Sequence, residues 1–159
     1  MEVDGTSHAE DIETQLQAYM FADRFLVSAF RKTMNEAVVE SVTRVSMLSD
    51  HADFFGLIEW AFEHVPAVWP ILQLIVSTFC NGWEDEFCDE EVVQGLKALP
   101  TSFVARVIRR YSQLRQDPNG QVEMSDCCFL EHTGDKLKAC VKVHMQYDAE
   151  TDYGFFRKG

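Results

Sequence analysis

The chain contains no apolar run long enough to cross a bilayer. Its longest, Val65 to Cys80, is interrupted by Pro66 and Pro70 and falls short of the roughly 20 residues that a membrane-spanning helix requires. No membrane role is expected. A secretory leader is also missing: the opening MEVDGTSHAEDIE is acidic where such a leader begins basic and turns apolar, which points to an intracellular protein of the nucleus or cytoplasm. The 5 cysteines, two of them adjacent, make no even disulfide framework, leaving reduced thiols or thiolates on a metal. Positive charge is scarce in the first part of the chain, where residues 1 to 99 hold 5 Lys and Arg against 18 Asp and Glu. Such a surface repels nucleic acid. The G-x-S-x-G, Walker-type and G-x-G-x-x-G motifs do not occur, so the commonest signatures of acyl transfer and nucleotide chemistry are missing.

What the sequence does have is apolar content. At 159 residues and 47% hydrophobic, it can bury one domain-sized core. Formal net charge is -12, although residues 100 to 159 are nearly balanced, with 9 basic against 8 acidic residues. The acidic half reads as a solvated face that keeps copies apart, with a basic partner as the alternative.

Apolar periodicity predicts an all-α bundle of five or six helices in antiparallel pairs, ending in an irregular tail. Residues 1 to 10 read as a flexible lead-in. From Asp11, apolar residues at Ile12, Leu16, Tyr19 and Met20 make one helical face, and a second helix follows with Phe30, Met34, Ala37, Val38, Ser41 and Val42 at the same spacing. Ser28 or a neighbour is the expected cap of that helix. Asp50 and Asp53 suit the start of a third, striped by Phe54, Leu57, Ile58, Ala61 and Phe62, which Pro66 should stop. Pro70 fits the first turn of a fourth helix, apolar on nearly all sides and therefore expected at the centre of the core, with Asn81-Gly82 as its C-terminal cap. The acids Glu84 to Glu91 precede a short fifth helix. Thr101 or Ser102 should cap a sixth, striped by Phe103, Val104, Val107, Ile108, Tyr111 and Leu114, with its arginines read as charge complementary to the helix dipole or to the acidic half. The helical domain spans 11 to 116. Beyond it, 117 to 159 forms the tail, opening on the turn signal Asp117-Pro118-Asn119-Gly120 and including an alternating stretch up to Tyr147 that suggests a strand.

Three segments in order carry a family resemblance. Tyr19 to Val27 (YMFADRFLV), Leu72 to Trp83 (LQLIVSTFCNGW) and Leu99 to Tyr111 (LPTSFVARVIRRY) resemble the helices that follow the core of fungal BTB/POZ-domain proteins. The resemblance implies a helical, non-enzymatic protein-protein interaction or scaffold module, here without the mixed strand-and-helix BTB core that would stand ahead of it. The expected partner is therefore a protein, either that core or a second copy in a homodimer. Tyr19, Phe21, Phe25 and Leu26 are the expected interaction residues, exposed or buried against a second copy.

The tail offers an alternative, a zinc-binding regulatory module. Cys128-x3-His132 and Cys140-x3-His144 are two short ligand pairs, and with Cys127 they supply the thiolates and imidazoles that a tetrahedral zinc ion takes. The fungal family resembles this segment with a C-x-[YF]-H-x-H run and a later Cys, which maps onto Cys127, Phe129, His132 and Cys140; Leu130 stands where the run's first histidine would be. The competing reading is that these cysteines are reduced and packed or exposed. His51 and His64 read as capping or solvent-facing residues rather than as a general base.

Overall fold

The computed structural model describes residues 8–44, 51–83, 89–116, 129–130, 146–147 and 155–156. Among these residues the fold is all-α apart from one minimal ladder. The helices are α1 (His8–Arg24), α2 (Ser28–Arg44), α3 (His51–His64), α4 (Pro70–Gly82), α5 (Glu90–Ala98) and α6 (Thr101–Gln116). Strands β1 (Gln146–Tyr147) and β2 (Phe155–Phe156) pair antiparallel, Gln146 opposite Phe156. Among the described residues no helix is long and apolar enough to cross a membrane.

The expected antiparallel pairing describes α1 and α2, which a three-residue turn folds into a hairpin. Further along, the main partners are not chain neighbours: α4 packs on α6 and on α2, while α3 packs on α1 and α5. Helix α4 is central, as its all-round apolar character predicts. Ile71, Leu72, Leu74, Ile75, Val76 and Phe79 are all buried, together with Gln73 and Ser77. Pro70 occupies its first turn after an extended Trp69, where a missing amide costs nothing. The expected glycine cap at its far end is not formed. Gly82 is the last helical residue, and Trp83 leaves in an extended conformation at φ -79°, its ring stacked on Phe79 at 5.3 Å. Packing of the tryptophan, rather than a left-handed glycine, ends the helix.

Capping of α5 follows expectation. Asp89 accepts the Val92 amide at 2.9 Å, and Glu90 and Glu91 occupy the first turn. The cap of α6 differs: the Pro100 carbonyl receives the Val104 amide at 3.1 Å, so Pro100 stands at the cap position and Thr101 already lies inside the helix.

Two helices are rotated relative to their apolar stripes. In α2 the buried residues are Asn35, Val38, Val39 and Val42, while Phe30 is exposed. The Asn35 amide donates to the Phe129 carbonyl at 3.3 Å, and the Phe129 ring enters the core. The core thus extends past the expected boundary at 116. In α6 the inward face is Phe103, Arg106 and Arg110, whereas Val104, Ile108 and Tyr111 reach solvent. Phe103 fixes this rotation by meeting Phe62 and Phe79 edge-on at 5.3 and 5.2 Å. Arginine stems tolerate apolar walls when the head group finds an acceptor, and Arg106 donates from Nη2 to the Ala67 carbonyl at 2.7 Å.

Candidate functional site: an apolar corner between the first two helices

Helix α1 ends in a Schellman motif. The Val27 amide donates to the Ala22 carbonyl at 3.0 Å and the Leu26 amide to the Asp23 carbonyl at 3.1 Å, the paired bonds that absorb carbonyls left open at a helix end. This geometry needs a left-handed residue at the position after the cap, ordinarily glycine. Leu26 occupies it, at φ 56°. Val27 then serves the next helix directly, since its carbonyl accepts the Arg31 amide at 2.9 Å; the first acceptor of α2 is a backbone carbonyl of the turn, and Ser28 lies within the helix.

The turn displays its apolar side chains to solvent. Leu26 is 87% exposed, Phe25 59% and Phe21 55%, and Val27 and Phe30 extend the same surface. Phe21 and Phe25, one helical turn apart, hold their rings 4.4 Å apart. Across the hairpin, Arg31 and Asp23 form a half-exposed ion pair at 2.7 Å that links the two helices. Tyr19 does not belong to this surface. It is buried within its own fold, its ring 4.6 Å from that of Trp69, because it faces the α3–α4 connection while Phe21 and Phe25 project from the other side of α1. Spacing puts Phe30 on the apolar face of α2, and the rotation of that helix places it with the corner instead.

A left-handed leucine costs about 1–2 kcal/mol, so Leu26→Gly relieves strain at the expense of roughly 0.5–1 kcal/mol of chain entropy. The expected result is a small net gain, up to about 1.5 kcal/mol, read as a higher urea midpoint with an unchanged slope. A lower midpoint would show that the leucine side chain itself stabilises the turn.

The remaining candidates are weaker or undescribed. Cys127, Cys128, His132, Cys140 and His144 all lie outside the described residues; of the stretch that joins the first pair, only Phe129 and Leu130 are placed, the former buried. Among the described residues no group of three His, Cys, Asp or Glu is arranged to hold a metal. Cys80 is buried, and burial pushes its thiol up to about 11 against the pull of neighbouring Arg110, leaving it protonated and unreactive near neutrality. The Arg110 guanidinium is in turn shifted down by burial. His64 donates Nδ1–H to the Trp60 carbonyl at 2.8 Å and stacks on the Trp60 ring, which occupies it structurally. A groove of about 620 Å³ opens between α3 and α5, with Phe55, Gly56 and Val92 along it and Glu59 and Glu91 at its edge.

The fold and this corner define a class in general terms: a helical array that presents an exposed apolar turn. No family model, curated protein or solved structure matches the chain.

Proposed function

We propose that the chain is a non-enzymatic protein-protein interaction module and that the α1–α2 corner is its docking surface. The observation that carries this reading is Leu26. A bulky residue held in the left-handed region stores strain, and this one spends it on an almost fully exposed apolar side chain at the centre of an apolar patch. Exposed apolar clusters of this kind mark contact surfaces. The resemblance of Tyr19 to Val27 and the two later segments to the helices that follow a BTB/POZ core supports the same class, and such a core is one protein partner to which the corner would dock.

The test is a binding titration of the chain against an isolated fungal BTB/POZ core. Binding is expected to weaken at least tenfold, about 1.4 kcal/mol, for Phe25→Ser combined with Leu26→Asp, and to be unchanged for Ile108→Ser, an equally apolar exposed site elsewhere. Loss of binding with Ile108→Ser alone would move the docking surface to α6, and no binding by the unaltered chain would remove this partner.

The second reading is the zinc-binding regulatory module of Cys127, Cys128, His132, Cys140 and His144. It draws on the burial of Phe129, which ties the stretch between Cys128 and His132 to the helical core, so that metal on the tail would be felt by the whole fold. Protein purified without chelator is expected to carry about one zinc per chain and to lose stability when chelator is added; metal-free protein indifferent to chelator would sink the idea.

A further inference from the structure

We infer that the corner of one copy docks into the α3–α5 groove of a second copy, giving a head-to-tail association. The inference rests on the reading of the corner as a docking surface and names its occupant. Charge supports the match. Of the 5 Lys and Arg in residues 1 to 99, three are Arg24, Arg31 and Lys32, at the end of α1 and the start of α2 that flank the corner. Asp23 pairs with Arg31, and Glu36 with Lys32 at 4.0 Å, so the corner remains a net cationic spot on a chain of net charge -12. The groove has the opposite character, lined by Glu59, Asp89 and Glu91 with His51 among them, and by Phe55 and Val92, both buried. At physiological ionic strength, charges more than about 8 Å apart are largely screened. Local complementarity therefore outweighs the repulsion between two acidic chains.

Shape supports it as well. The groove's volume, about 620 Å³, falls within the roughly 300–1,000 Å³ of pockets that enclose compact ligands, so it has room for the Phe25 and Leu26 side chains. The space over Gly56 is free, since a Cβ there would meet nothing within 4 Å. Helix α2, with 17 residues, carries the chain some 25 Å along its axis from the corner before α3 begins. The two surfaces are different patches, and contact between different patches is heterologous, adding copy to copy until a ring closes or a filament continues.

Sedimentation velocity of the full chain over a concentration series tests this. The unaltered protein is expected to give a concentration-dependent series of dimer and larger species that weakens with added salt. Phe25→Ser, which removes the knob, and Gly56→Leu, which fills the groove, should each be monomeric while keeping the parent far-UV spectrum and melting temperature. Mixed in equal amounts they should form a dimer and nothing larger, because one intact corner then meets one intact groove. A protein that stays monomeric at every concentration overturns the inference and leaves the corner to be judged by core binding. Association that survives Gly56→Leu but not Phe25→Ser also overturns it, in favour of corner-to-corner pairing. Association that survives Phe25→Ser overturns it too, since the copies then meet through another surface, and the corner is again judged by core binding.

Discussion

Phe103→Ala is expected to lower the unfolding free energy by about 3–5 kcal/mol. The ring is 1% exposed and is the point where three helices meet, from α6 onto Phe62 of α3 and Phe79 of α4. Truncation removes its transfer free energy, two edge-on aromatic contacts and the wedge that sets the rotation of α6, and the cavity left behind can collapse only in part. Set against a total stability of about 5–15 kcal/mol, the loss brings the domain close to its unfolding threshold. Urea denaturation is the direct measure. Phe103→Leu, which retains most of the volume, should fall well short of the alanine loss; equal losses for the two would mean that packing at this position is not specific.

Arg106→Ala is expected to have the next largest effect, about 2–4 kcal/mol destabilising from the charge-assisted hydrogen bond and the ring contact together. Its guanidinium donates to the Ala67 carbonyl at 2.7 Å and lies over the Phe62 ring at 5.5 Å. Without it, a carbonyl in the α3–α4 connection loses a donor beneath the apolar stem that covered it. Arg106→Lys should recover only part of the loss, because an ammonium cannot both reach the carbonyl and lie flat on the ring. Ile108→Ser, two residues away on the same helix but exposed, should change stability by less than about 0.5 kcal/mol. If Arg106→Ala were as mild as Ile108→Ser, the arginine would be a passenger on a face that packs without it.

These two residues also show where the sequence was informative and where it was not. Helix number and order were readable because Pro66, Pro70, Pro100 and the acids before α5 punctuate the chain, and the central place of α4 followed from its lack of a polar side. The rotations of α2 and α6 were not readable. Each helix has more apolar residues than its buried face can take, and spacing alone does not say which are left outside. In α6, Phe103 and its two aromatic neighbours decide, turning Arg106 and Arg110 inward and Ile108 outward. In the candidate site the wording of Tyr19 to Val27 located the corner, but not the division of labour within it. Tyr19 meets a tryptophan 50 residues further along the chain, and no local pattern announces that contact. The left-handed turn was equally hidden, since a leucine there carries none of the signal that a glycine would have given.

The hydrogen bond from Asn35 to Phe129 joins positions 94 residues apart, which bears on the order in which the structure is completed. The α1–α2 hairpin closes through a three-residue turn and can form as soon as it is synthesised, whereas contacts of long sequence separation come late because their loops are costly to close. The place that Phe129 fills beside α2 is therefore closed by a residue that follows the last helix in the chain. One wall of the core is supplied by a ring from a segment that sequence pattern alone treats as an appendage.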